Sequence, residues 1–182
     1  MRQTEYVILG LLRDSPLTGY QMKQLIDIRF RFFWNESYGQ LYPTLKDLKG
    51  RGLIEETDSK IPSDARAQKT YRICEAGVDA LRVWLQQPVE KETVRLEILL
   101  KMYFSNMTDP EVMAAHIKTF QASHERDLQM LNMFCKELES IADVDPNHPH
   151  VLRVIDFGQK VNQSYVDWSR ETIEFLESRY TK

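Results

Sequence analysis

The sequence predicts a mainly α-helical protein with one small β-hairpin, divided into a compact N-terminal domain over residues 1–87 and a helical domain over residues 88–182. Three observations carry this. Only seven glycines and seven prolines in 182 residues leave room for long uninterrupted helices. Apolar side chains recur at three- and four-residue spacing along most of the chain. The exception is a pair of short runs, residues 53–57 and 69–74, which flank a polar stretch and read as two paired strands.

Composition narrows the class. A hydrophobic fraction of 42% and a charged fraction of 28% are those of an ordinary globular chain long enough to bury a core. No apolar run approaches the roughly 20 residues of a membrane span. The opening MRQTEYVILGLL has no small-residue cleavage site, so it is a poor signal peptide. Cys74 and Cys135 are too few and too far apart for a disulfide framework, and the expected compartment is the cytoplasm. The net charge of −3 conceals an asymmetry. Residues 1–87 carry 13 Lys and Arg against 11 Asp and Glu, or +2, whereas residues 88–182 carry 11 against 16, or −5. The first half is therefore the face suited to phosphate, through local clustering rather than bulk charge.

The first helix is expected over residues 5–13, where Tyr6, Ile8, Leu9, Leu11 and Leu12 are dense enough for burial on most sides. Asp14-Ser15-Pro16 ends it, because the residue before a proline disfavours helical geometry. Thr18 is the predicted N-cap of a second helix through Tyr20, Met22, Leu25, Ile26 and Phe30, with Gly19 permitting close backbone approach. The crowd of rings and arginines from Arg29 to Trp34 reads as a boundary between domains or subunits, with simple core packing as the alternative.

The third helix is the most informative. In YGQLYPTLKDLKGRGL, residues 38–53, the side chains of Leu41, Leu45 and Leu48 form a buried stripe and Gly52 marks the stop. The opposite face is predicted to show Gly39, Gln40, Pro43, Thr44 and Lys46, small and polar. Such a helix suits the major groove of duplex DNA. Pro43 implies either a start near Leu41 or a distorted opening, and the distorted opening is the favoured reading. Gln40 is the expected base reader, since its amide can pair with adenine at N6 and N7. Tyr20, Tyr42 and Lys46 would position the phosphate backbone. The strands that follow make a wing whose long polar tip carries Lys60, Arg66 and Lys69, also placed for phosphate. A helix over residues 75–87 closes the domain before Pro88. Together these elements describe a winged helix-turn-helix.

In the second half, residues 92–104 read as a short helix. Asp109-Pro110-Glu111 is a helix start with a capping carboxylate, and Asp145-Pro146-Asn147 breaks the chain. The last helix is expected from about Val151. It places Val154, Gly158, Val161, Tyr165, Trp168, Thr172 and Phe175 along one seam, with Ile155, Ile173 and Leu176 beside it. Two long helices joined by a short break make an antiparallel pair. Val154, Val161, Tyr165, Trp168 and Phe175 are the expected dimer interface, packing against the chain's own first domain being the alternative.

These residues resemble the PadR family of bacterial transcriptional regulators, in its longer form with an extended helical C-terminal domain. The matching pieces are YVILGLL (6–12), LTGYQMKQLI (17–26), FWNESYGQLYPTLKDLKGRGLIE (33–55), KTYRICEAG (69–77) and ETVRLEILLKMYF (92–104). The resemblance implies a homodimeric repressor whose winged helices bind a palindromic double-stranded operator. It also implies release by a small effector, which in the namesake is a phenolic acid. An effector acting at the joint between domains would meet Trp34, Met102, Tyr103 and Phe157, with Gln159 as a polar anchor.

Other classes fit poorly. His116 and His124 stand about 80° apart on one helix, and His148-Pro149-His150 lacks the ligand spacing of a metal site, so no metal and no cofactor is expected. No nucleophile elbow, phosphate-cradling glycine loop or HExxH element is present, so the chain does not read as an enzyme. A winged-helix protein–protein adaptor is the remaining alternative, against which the basic wing argues.

Overall fold

The computed structural model describes residues 2–58, 69–90, 94–140 and 145–180, and the chain divides into two compact units, Met1–Lys91 and Glu92–Lys182. In the first unit, α1 (Gln3–Leu11) buries Ile8, Leu9 and Leu11, and its first turn is closed by the Arg2 amide donating to Glu5 Oε1 at 2.9 Å. A two-residue strand, β1 (Leu17–Thr18), leads into α2 (Gly19–Leu25). Thr18 caps α2 as expected. Its hydroxyl accepts from the Gln21 amide at 3.2 Å, and the Gln21 side-chain oxygen accepts from the Thr18 amide at 2.8 Å. The chain then widens into a π-helical turn, Ile26–Phe30.

The next helix, α3 (Tyr38–Gly50), starts at Tyr38 rather than near Leu41 and contains Pro43 within it. Pro43 has no N–H for the Gly39 carbonyl. The opening turn is held by other bonds: the Leu41 amide to the Ser37 carbonyl at 3.0 Å and the Thr44 hydroxyl to the Gln40 carbonyl at 2.7 Å. Thr44 is therefore buried, which corrects its expected place on the outer face. It lies three residues after Leu41 and four before Leu48, so helical geometry turns it toward the apolar stripe. Gly52, at φ 71°, terminates the helix in the left-handed region.

Strands β2 (Ile54–Asp58) and β3 (Lys69–Ile73) pair antiparallel with Ile54 opposite Ile73 and Asp58 opposite Lys69. The expected pairing of these two runs is present and is extended to a three-stranded sheet of order β1-β3-β2, since Leu17 and Thr18 pair with Tyr71 and Thr70. Two residues are too few to show strand alternation in a sequence. The core beneath contains Ile8, Leu9, Met22, Ile26, Leu41, Leu45, Leu48 and Ile54.

Two polar clamps brace α3. At its entry, the buried Glu36 carboxylate accepts from Thr4 Oγ1 at 2.7 Å and from Trp34 Nε1 at 2.9 Å. At its exit, Arg51 bridges Glu5 of α1 at 2.7 Å and Asp47 at 2.9 Å, and both bonds hold the guanidinium more firmly protonated than usual, Asp47 contributing most. The aromatic crowd is split: Phe30 packs on the core, whereas Phe33 stays half exposed.

Helix α4 (Glu75–Leu85) returns across α1, stacking Trp84 on Tyr6 with ring centroids 4.4 Å apart. Gly77 allows that approach. A Cβ there would stand 2.2 Å from the Leu53 carbonyl oxygen and 2.8 Å from Ile73 Cγ1. Because one obstacle is backbone, Gly77→Ala is expected to destabilise the first unit by about 1–3 kcal/mol, read as a lower urea midpoint. An unchanged midpoint would mean that α4 can shift without loss.

In the second unit, α5 (Glu97–Tyr103) is shorter than expected and is followed by a 3₁₀ turn, Ser105–Met107. Helix α6 (Pro110–Ser140) begins as predicted, with the Glu111 amide donating to Asp109 Oδ1 at 2.9 Å. The last helix, α7 (His148–Tyr180), starts three residues before Val151, its approach set by the Asn147 amide on Asp145 Oδ1 at 2.8 Å. It runs antiparallel to α6, as the pairs Lys118–Glu177 and Asn132–Gln159 show.

The seam between α6 and α7 departs from the expected one. Among the described residues, Ile155, Gly158, Asn162, Val166, Ser169, Thr172 and Leu176 are the buried residues of α7. Three of these seven are polar, and each of the three is hydrogen-bonded. Asn162 donates to the Gly158 carbonyl at 2.8 Å and meets His124 Nδ1 at 2.7 Å, while Ser169 and Thr172 bond back to Tyr165 and Trp168 carbonyls at 2.7 Å. The three-and-four spacing found Gly158 and Thr172 of this seam but not Asn162 or Ser169. Of the predicted seam, Gly158 and Thr172 are buried, Val161, Tyr165 and Trp168 are half-buried with Tyr165 and Trp168 meeting the Phe120 ring of α6, and Val154 and Phe175 are exposed. Trp168 also packs on the Met113, Ile117 and Leu176 cluster.

Candidate nucleic-acid interface

The N-terminal turns of α2 and α3 meet at the surface of the first unit. A Cβ on Gly19 would stand 2.8 Å from Tyr42 Cε1, so the glycine is what lets the Tyr42 ring lie against the start of α2. Tyr42 in turn stacks on Tyr38, centroids 6.2 Å apart, and the Lys23 ammonium sits 5.7 Å from the Tyr38 ring. Beside them Tyr20 accepts a hydrogen bond from Gln24 Nε2 at 3.0 Å. Tyr20 is 52% exposed and Tyr42 50% exposed, which are large values for tyrosines with well-defined ring or hydroxyl contacts.

Gln40 and Lys46 are exposed on the same helix. The Gln40 side-chain oxygen, however, is occupied: it accepts from the Ser37 amide at 3.2 Å and from the Ser37 hydroxyl at 3.1 Å. Tyr38 and Lys23 were absent from the sequence reading of this surface. The four-residue interval between Tyr38 and Tyr42 was the available signal, since it stacks side chains on one helix face.

In the wing, Lys69 bridges Glu56 at 3.2 Å, and Lys49 of α3 pairs with the same carboxylate. The two ammonium groups, Lys49 foremost, hold the Glu56 carboxyl below the usual carboxylate range. Lys60 and Arg66 lie outside the described residues.

The expected effector residues have separate neighbours. Trp34 bonds Glu36 in the first unit. Met102 packs against Met113, Ile117 and Leu176, Tyr103 meets Phe104 edge-on at 5.0 Å, Phe157 is exposed, and Gln159 donates to Asn132 at 2.7 Å. The sequence did not suggest the open hollow of about 460 Å³ between α5 and α6. Leu100, Lys101, Phe104, Val112, Met113 and His116 are among its lining residues. Among the described residues no group of three or more His, Cys, Asp or Glu is arranged around a metal position, and no helix is long and apolar enough to cross a membrane.

Comparison with known proteins gives the surface its setting. The model of the transcriptional regulator PadR-like family matches residues 8–83, and that of the virulence activator alpha C-terminal region matches residues 94–177. The chain belongs to the PadR-like family of transcriptional regulators. The negative transcriptional regulator PadR of Bacillus subtilis is 28% identical, the alignment covering 97% of this chain and 99% of that protein. The solved structure of B. subtilis PadR in complex with operator DNA matches with a TM-score of 0.82 at 28% identity, over 97% of this chain and 98% of that one. The same protein in complex with p-coumaric acid matches with a TM-score of 0.73 at 27% identity, over 97% of this chain and 99% of that one. As a member of the PadR-like family the protein is a DNA-binding transcriptional regulator and not an enzyme, and the adaptor alternative falls away.

Proposed function

We propose that the protein is a homodimeric repressor in which residues 1–87 bind a palindromic operator and residues 88–182 join the two copies. A small aromatic or phenolic acid then releases it from the DNA. The observation that carries this reading is the outward face of α3. Its leucines are buried while Tyr38, Gln40, Tyr42 and Lys46 face solvent beside Tyr20, an arrangement suited to a groove. The likeness to operator-bound B. subtilis PadR supports it. Gln40 reads bases; Tyr20, Tyr42, Lys46, Lys60, Arg66 and Lys69 hold the backbone.

The proposed dimer contact runs along α7. Val154 and Phe175 are exposed, and half-buried Val161, Tyr165 and Trp168, the last two also meeting the Phe120 ring of α6, extend the same edge into an apolar flank for a twofold-related copy. For the effector, the likeness to PadR in complex with p-coumaric acid supports the chemical class. Trp34, Met102, Tyr103, Phe157 and Gln159 remain the proposed contacts.

Titrating the protein against duplex from just upstream of its own gene tests the reading. A shifted complex that resists random competitor DNA and dissociates with a small aromatic acid is expected. Equal affinity for every duplex would contradict operator recognition, and indifference to aromatic acids would contradict the proposed switch.

Lys69 supplies a second check. Lys69→Ala is expected to weaken all duplexes alike and to lower the slope of log affinity against log salt by about one unit. Glu56→Gln removes the carboxylate that competes with phosphate for Lys69 and Lys49, so it is expected to tighten binding without changing sequence preference. Unchanged salt slope in Lys69→Ala would take the wing out of the footprint.

A further inference from the structure

We propose that Ser37 is a positioning residue that presents Gln40 as a hydrogen-bond donor only, so that the base it selects is guanine rather than adenine. This rests on the reading that α3 lies in the major groove. The Ser37 backbone N–H can only donate, so the Gln40 atom facing it at 3.2 Å is necessarily the amide oxygen. The Ser37 hydroxyl contributes a second bond to that same oxygen at 3.1 Å. An amide oxygen has two lone pairs, and the two contacts occupy both. The NH₂ group is left as the end of the side chain that can face a base.

The chemistry of the groove then separates the bases. Pairing with adenine needs an acceptor for its N6 amino group as well as a donor to N7, and the acceptor half of Gln40 is engaged. Guanine presents only acceptors there, O6 and N7, which two amide hydrogens satisfy; thymine O4 accepts one. Adenine could be read only after the cap of α3 had been opened. Gln40 is the third residue of the helix and Ser37 its N-cap, so the bonds that start α3 also fix the polarity of the reading group.

The test is in vitro selection from a random duplex pool with the full chain and three variants, each first checked for folding by circular dichroism. The wild-type protein is expected to select guanine at one position of each half-site, and Gln40→Ala to lose that preference by about tenfold. Gln40→Lys is expected to keep guanine, because an ammonium also only donates. Ser37→Ala, which frees one lone pair, is expected to raise adenine acceptance at that position severalfold. Selection of adenine by the wild-type protein, switching to guanine in Gln40→Lys, would overturn the donor-only assignment. So would a motif unchanged in Gln40→Ala. A wild-type selection without any motif would instead overturn the operator reading itself.

Discussion

Val154→Glu is expected to convert the protein to a monomer and to lower its affinity for a duplex with two half-sites by about 10²–10⁴-fold. The magnitude comes from linkage. When one copy is bound, the second binds at an effective local concentration rather than the bulk one, and losing the link forfeits that gain without touching a DNA contact. Val154 is the informative position because it is 44% exposed and lies outside the α6–α7 seam, so a carboxylate there remains solvated in an isolated chain. In the proposed dimer the same carboxylate would be buried without a partner. Trp168→Glu is a poorer probe, since Trp168 also packs on Met113, Ile117 and Leu176 and meets Phe120 edge-on at 6.1 Å. Sedimentation reads the assembly state and gel shift the affinity. A Val154→Glu protein that remains dimeric would place the subunit contact elsewhere.

Leu45→Ala is expected to destabilise the first unit by about 2–5 kcal/mol, the usual range for a fully buried leucine truncated in a close-packed core. Leu45 is 1% exposed and shares the core with Ile8, Leu9, Met22 and Leu41. Since folded domains have only about 5–15 kcal/mol in reserve, operator binding should fail at physiological temperature in the larger part of that range. Urea unfolding followed by circular dichroism measures it. Lys46→Ala, one residue along and exposed, should leave the midpoint unchanged within about 0.5 kcal/mol. Equal midpoints for Leu45→Ala and wild type would mean that α3 is not anchored through its leucine stripe.

The order of elements was legible because the first unit follows simple rules. Thr18 caps α2, Leu41, Leu45 and Leu48 form the buried stripe of α3, and Asp109 starts α6. Where reading failed, the determinant was not periodicity. The third strand consists of two residues, Leu17 and Thr18, that pair with a segment more than fifty positions away. Within the α6–α7 seam lie Asn162 and Ser169, whose polarity hides their burial until their hydrogen bonds are known. Gly77 reads as a weak helix residue, yet the Leu53 carbonyl leaves space for nothing larger. At the candidate interface, the exposure of Gln40 was readable from the lean face of α3, whereas its occupied oxygen depends on a local geometry that composition does not encode.

Dimethyl sulfate protection of guanine N7 on an upstream duplex addresses the central claim, that α3 from each of two copies enters the major groove. Two protected patches about one helical turn, roughly 10–10.5 base pairs, apart are expected, both weakened by Gln40→Ala. Guanine N7 left reactive throughout a bound duplex would contradict it.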